Sequence, residues 1–221
     1  MTGYGQFCPV AKAAELLDQR WMLLVVRELM AGSQHFNEIR RGVPKMSPTL
    51  LSRRLRELVQ AGVAERTDDK RYVLTPAGKE LGPVVDALGA WGTRWVPELG
   101  DPDLDPHLLL WDMHRSVDLT ALPPGRTVVH VVFPEVIPAV RRWWLVMTRD
   151  GAEICDFDPG YDVAVTVETS LLEMSRIWRG DVGWEQSQRS GALRIRGLAS
   201  ACRDLGRWLQ LSKFAATPRP I

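Results

Sequence analysis

The side chains best equipped for chemistry in this chain of 221 residues are arginines, and their chemistry is hydrogen bonding to anions and base edges, not bond making. In the segment 47–62 (SPTLLSRRLRELVQAG), Thr49, Ser52, Arg53, Arg56 and Gln60 recur at helical spacing on one side. Such side chains reach base edges and phosphates in a DNA major groove. From Arg40 to Arg56 the chain carries Arg40, Arg41, Lys45, Arg53, Arg54 and Arg56 but no Asp or Glu. A solvated helix face usually mixes both signs of charge, so a one-signed face argues for a polyanion. Nothing comparable points to catalysis. His35, His107, His114 and His130 lack metal-ligand spacing, and there is no phosphate-cradling glycine loop and no GxSxG elbow. Asp156 and Asp158 belong to a turn. No catalytic site, metal or cofactor is expected.

The opposite side of that segment carries Leu51, Leu55 and Leu58, widened by Leu50 and Val59, and is therefore expected to be buried. Ser47 suits an N-cap, Pro48 the first helical position and Gly62 the helix end. Upstream, residues 10–31 read as one long helix with Leu16, Leu17, Leu23, Leu24, Val26 and Leu29 as its apolar content. A short helical segment over 35–41 places Phe36 and Ile39 on one side. Downstream, strand-like runs over 63–66 and 72–74 flank a polar tip, Thr67-Asp68-Asp69-Lys70-Arg71. The order helix, helix, arginine helix, hairpin predicts a winged helix-turn-helix whose third helix enters the major groove. On that reading Ser47, Thr49, Ser52, Arg53 and Arg56 contact bases or phosphates, Arg40, Arg41 and Lys45 contact the backbone, and Lys70 and Arg71 serve the wing. A further helix, Pro76 to about Trp95, bears the stripe Leu81, Val84, Val85, Leu88, Trp91 and Trp95. So small a domain cannot bury that stripe alone, which predicts a homodimer.

Residues 1–97 resemble the HxlR family of bacterial winged-helix regulators. The resemblance rests on Cys8-Pro9-Val10, Trp21, residues 35–40 (HFNEIR), residues 52–58 (SRRLREL) with Gly62-Val63, residues 72–78 (YVLTPAG) and Trp91-Gly92. It implies a dimeric protein that reads a short inverted repeat in double-stranded DNA. The chain departs from the family in three places. Asp18-Gln19-Arg20 precedes Trp21 where a glycine-lysine pair is usual, His35 stands where arginine is common, and the wing tip is short.

The length exceeds one winged helix, so a second domain is expected. Residues 97–106 hold three prolines and four acids, a composition that suits neither helix interior nor central strand. Charge divides at the same place. Residues 1–97 hold 14 Lys and Arg against 10 Asp and Glu, net +4, and residues 98–221 hold 14 against 17, net −3. The organisation expected is therefore 1–97 for the winged helix, 98–106 as linker, 107–215 as second domain and 216–221 as tail. The second half alternates strand-like runs (126–133, 142–147, 152–157, 163–168, 192–196) with helical ones (108–117, 170–178, 184–189, 198–211), favouring an antiparallel α+β sheet covered by helices. Residues 162–168 (DVAVTVE), the helix ending at 178–181 (WRGD) and residues 190–197 (SGALRIRG) resemble, in this order, the sterol-carrier-protein-like fold. The fold class expected is thus α+β, a winged helix followed by an antiparallel-sheet sterol-carrier-like domain.

That second resemblance implies an apolar cavity for a hydrophobic small-molecule effector. Trp111, Met113, Trp144, Met147, Met174 and Trp178 are candidates to line it, because aromatics and pliable thioethers suit a wall that adapts to an apolar ligand. Trp143 and Trp144 are adjacent, so on a strand only one of them faces the interior. Of the three cysteines, Cys155 and Cys202 read as core residues. Two readings stand for Cys8: a small packed residue of the N-terminal arm, or a thiol-based redox sensor, as in some relatives with this Cys-Pro arrangement. No secretory signal or membrane-spanning apolar run is visible, so a cytoplasmic protein with reduced thiols and no membrane partner is expected. Together these point to a homodimeric, sequence-specific transcriptional regulator with an effector domain. A hydrophobic-ligand carrier whose winged helix makes protein contacts is the alternative from another class.

Overall fold

The computed structural model describes residues 3–96 and 99–219. Residues 97 and 98 of the expected linker region and 220–221 of the expected tail lie outside the described residues. The chain forms two compact units that divide between Gly92 and Thr93, whereas the sequence alone puts the domain end at residue 97. Each unit has its own apolar cluster.

In the first unit, the single long helix expected over 10–31 is two helices, α1 (Pro9–Leu17) and α2 (Met22–Met30). The chain turns between them, and Trp21 adopts φ 78°, a left-handed conformation costing ~1–2 kcal/mol for an L-residue. No glycine or proline marks this turn, so apolar periodicity runs straight through it. Next come α3 (Phe36–Gly42) and α4 (Pro48–Gln60), making the arginine helix the fourth rather than the third. Strands β1 (Ala64–Arg66) and β2 (Tyr72–Leu74) form the antiparallel hairpin. The helix expected over 76–95 is also divided, into α5 (Pro76–Lys79) and α6 (Gly82–Trp95), and the division at Gly92 and Thr93 falls within α6. Met22, Val25 and Val26 of α2, Ile39 of α3 and Leu51, Leu55 and Leu58 of α4 are fully buried and tie these elements together. A Cβ on Gly78 would sit 2.0 Å from the carbonyl oxygen of Val63, so the close approach of α5 to the hairpin demands glycine there.

The second unit holds a five-stranded sheet in the order β5-β4-β3-β6-β7: β3 (Thr127–Val132), β4 (Arg142–Thr148), β5 (Gly151–Cys155), β6 (Val165–Thr169) and β7 (Leu193–Gly197). The sheet is not purely antiparallel as expected, because β3 and β6 pair in parallel. After β5 the segment 156–164 carries the chain from one sheet edge back past β4 and β3, so β6 joins the free edge of β3 running in its direction. In the sequence Asp158-Pro159-Gly160 signals only a turn, which hides this crossing. Strand parity then divides the sheet. Val129, Val131, Trp143, Leu145, Met147, Val165, Val167 and Leu193 face a core shared with α7 (Pro106–His114), α8 (Leu171–Trp178) and α10 (Ala199–Trp208). A short helix, α9 (Trp184–Arg189), precedes β7. Among the described residues no helix is long and apolar enough to cross a membrane.

Candidate nucleic-acid interface

Helix α4 owes its position to its two ends and its apolar face. The Ser47 hydroxyl accepts from the Leu50 amide at 3.3 Å, Pro48 occupies the first turn, and Gly62 at φ 70° ends the helix. Its 13 residues span ~20 Å, enough to cross a major groove. With Leu51, Leu55 and Leu58 buried, Thr49, Arg53, Arg56 and Gln60 are exposed and Ser52 is half-buried. Ser47 is exposed as well, though its hydroxyl is already engaged as the cap. Arg40 and Arg41 in the last turn of α3, and Lys45 in the connection to α4, are exposed on the same helix-turn-helix.

Arg54 behaves differently from its neighbours. Its side chain is only 10% exposed. Its Nε donates to the carbonyl oxygen of Arg20 at 3.1 Å, and its Nη1 donates to Gln19 Oε1 and, at 2.6 Å, to Glu57 Oε2. It thereby pins the strained α1–α2 turn to α4. Glu57 also accepts from Nε of Arg53 through Oε1 at 3.0 Å. Burial works to raise the Glu57 carboxyl, but the hydrogen bonds from Arg54 and Arg53 outweigh it and hold the group below the usual carboxylate range. In the sequence Arg54 is one more basic charge of the 40–56 window, and its structural role is not legible there. The one available signal was its place beside Leu51, Leu55 and Leu58 on the helical wheel.

The wing tip is closed by Thr67 and Arg71, and Lys70 takes φ 64° at its apex. Arg71 bends back, its Nε donating to Asp69 at 2.6 Å and its Nη1 to Gln34 at 3.1 Å. Lys70 is exposed and, among the described residues, has no ion-pair partner. The two wing cations therefore differ: Lys70 projects freely and Arg71 is already committed to a carboxylate.

The six candidate ligand-lining residues do not converge. Met113, Met147 and Met174 lie in the second unit's sheet–helix core at 2%, 0% and 0% exposure, and Trp178 packs against that core. Trp144 points to the other face of the sheet, where its ring stacks on His130 at 4.7 Å. Its neighbour Trp143 is the one that faces the core, because pairing of Leu145 with Val129 sets the phase of β4. Trp111 is buried outside the cluster, with His114 at 4.5 Å and Arg115 stacked over it. Cys202 packs against the core, whereas Cys155 pairs with Trp144 in the strand register and so shares its outer face. Cys8 is half-buried at the N-cap of α1, and all three thiols are free. Among the described residues, no cluster of His, Cys, Asp and Glu could hold a metal ion.

The family match and the curated relatives cover most of the first unit and a few residues beyond it. The HxlR-like helix-turn-helix family matches residues 16–99. Among curated relatives, the uncharacterized HTH-type transcriptional regulator YvaP of Bacillus subtilis is 38% identical over 98 residues, covering 41% of this chain and 91% of its own. The HTH-type transcriptional regulator YodB of the same organism is 37% identical over 101 residues, covering 42% of this chain and 89% of its own. A crystal structure of quinone-bound YodB shares 37% identity over 39% of this chain and 97% of that one, with a TM-score of 0.36. Through these residues, with their capped α4 and its exposed arginine face, the chain belongs to the HxlR-like helix-turn-helix family.

Proposed function

We propose that this protein is a sequence-specific, DNA-binding transcriptional regulator that acts as a homodimer on an inverted repeat. The observation that carries the reading is α4, with one face locked into the core and the other presenting Thr49, Arg53, Arg56 and Gln60. Arg40, Arg41 and Lys45 flank it with no carboxylate between residues 40 and 56. In this reading Thr49, Ser52, Arg53 and Arg56 meet base edges and phosphates, Ser47 and the three flanking cations meet backbone, and Lys70 leads the wing contact with Arg71 behind it. The exposed stripe Val84, Leu88, Trp91 and Trp95 on α6 supports dimerisation. Two copies of α4 would then enter successive major grooves ~34 Å apart. Fluorescence anisotropy against a duplex selected from a random library, and against its scrambled form at two salt concentrations, tests this. Sequence-dependent binding supports the reading. Equal binding to both duplexes that disappears with salt rejects it.

For the second unit we propose a sterol-carrier-like effector domain, residues 107–215, that accepts a hydrophobic small molecule between sheet and helices. Its support is the apolar core between sheet and helices, which includes Met113, Met147 and Met174. Methionine repacks readily around an apolar guest. A ligand there changes DNA affinity only if it binds the DNA-competent arrangement differently from the other arrangements. Mass spectrometry of small molecules extracted from the purified protein, followed by operator titrations with and without them, tests the proposal. Unchanged operator affinity would remove the effector role.

A further inference from the structure

Arg53 and Arg56 lie on the same exposed face of α4, yet their surroundings differ. Arg53 is 61% exposed but is not a free cation. Its Nε donates to Oε1 of Glu57 one turn further along the helix, which leaves its two terminal nitrogens without a partner among the described residues. An exposed i,i+4 pair normally flickers and contributes little. This one is anchored from below. Oε2 of Glu57 accepts from Arg54, and Arg54 is fixed in turn to the carbonyl of Arg20 and the amide of Gln19. The Glu57 side chain is itself only 13% exposed. Arg56, by contrast, has no carboxylate partner among the described residues.

We propose that Glu57 is a positioning residue: clamped by Arg54, it holds Nε of Arg53 so that the terminal nitrogens are presented end-on to a guanine, and it leaves Arg56 as the phosphate anchor. The inference rests on the DNA-reading role proposed for α4. Guanine offers O6 and N7 side by side, which matches the two terminal nitrogens of a guanidinium. Immobilising Nε beforehand removes part of the rotamer freedom that a long arginine side chain would lose on binding. The Glu57 carboxylate also cancels part of the attraction between Arg53 and phosphates, which are the same at every sequence. One acid thus trades general affinity for discrimination.

The test begins with an unbiased duplex selection on the full chain, followed by affinities of Glu57→Ala, Glu57→Gln, Arg53→Ala and Arg56→Ala for the selected site and its single-base variants. In the parent chain, one guanine per half-site is expected to be preferred ~10-fold or more. Arg53→Ala abolishes that preference. Glu57→Ala reduces it to below ~3-fold while affinity for scrambled DNA rises, since a negative charge beside the duplex is gone. Glu57→Gln keeps the acceptor but not the charge and falls between parent and alanine. Arg56→Ala weakens binding evenly across sequences and lowers the salt slope by ~1. Circular dichroism on each variant separates misfolding from misreading, with Glu57→Gln as the conservative probe. If the parent selects a motif and both Glu57 variants keep the full guanine preference, the positioning role is overturned while DNA reading stands. If the parent selects no motif, the DNA reading itself fails and the inference goes with it.

Discussion

Replacing Arg54 with methionine keeps an apolar stem of similar length but removes every donor that ties α4 to the α1–α2 turn. Three acceptors lose this donor: the Arg20 carbonyl, the Gln19 amide oxygen and one oxygen of Glu57. Breaking a buried ion pair by deleting one partner costs about 3–5 kcal/mol. The side chains here are 10% and 13% exposed, so the lower end, about 3 kcal/mol, applies. The loss falls on the turn where Trp21 is held at φ 78°. For a unit the size of residues 1–92 it corresponds to a melting decrease of ~12–24 °C. Arg53→Met provides the control, because it removes the same charge one residue away from a 61% exposed position and is expected to cost only about 0.3–0.5 kcal/mol. Hydrogen-exchange mass spectrometry resolves the two units. Protection of peptides from α2 and α4 falls in Arg54→Met, and peptides from β3 and β4 keep theirs. Equal stabilities for the two variants, within ~0.5 kcal/mol, would refute the anchoring role of Arg54.

Other predictions concern packing, protonation and assembly. Gly78→Ala forces a methyl against the Val63 carbonyl at 2.0 Å and is expected to destabilise the first unit by about 1–3 kcal/mol, read as a lower denaturation midpoint. The Glu57 carboxyl is depressed in the fold, so its contribution is present above the ordinary carboxylate value and is lost as pH falls below ~4.5. The stability gap between parent and Glu57→Gln in urea titrations therefore narrows in acid. His130 is held below its ordinary value by burial first and then by Arg142, with Asp158 opposing. The fold thus favours the neutral ring, and its contribution is full above pH ~6.5 and is lost as pH falls. His130→Gln should show a smaller drop in urea midpoint between pH 7.5 and pH 5 than the parent. Trp91→Ser combined with Trp95→Ser, at 59% and 57% exposure in one chain, is expected to sediment as a monomer where the parent sediments as a dimer.

What the sequence makes legible here is local. The cap, the first-turn proline, the terminal glycine and the leucine stripe of α4 all act within one helix, so α4 and its exposed face follow from residues 47–62 alone. The hairpin and its polar tip are readable for the same reason. What escapes is set by partners distant in the chain. The turn at Trp21 carries no local breaker and is held by Arg54, more than thirty residues later. Arg54 itself resembles any other arginine of the basic window until Gln19 and Arg20 are placed beneath it. Adjacent Trp143 and Trp144 must face opposite ways, but which one faces the core depends on the register with β3. The parallel pairing of β6 with β3 depends likewise on where the 156–164 segment leads, and its residues announce only a turn.

Methylation interference on a selected duplex decides whether α4 reads bases in the major groove. Methylation of guanine N7 places its mark in that groove, at the atom an arginine would contact. Two symmetric patches of interfering guanines ~10–10.5 base pairs apart are expected, both lost in Arg53→Ala. Binding indifferent to guanine N7 methylation throughout the selected site would mean that α4 does not read guanine in the major groove.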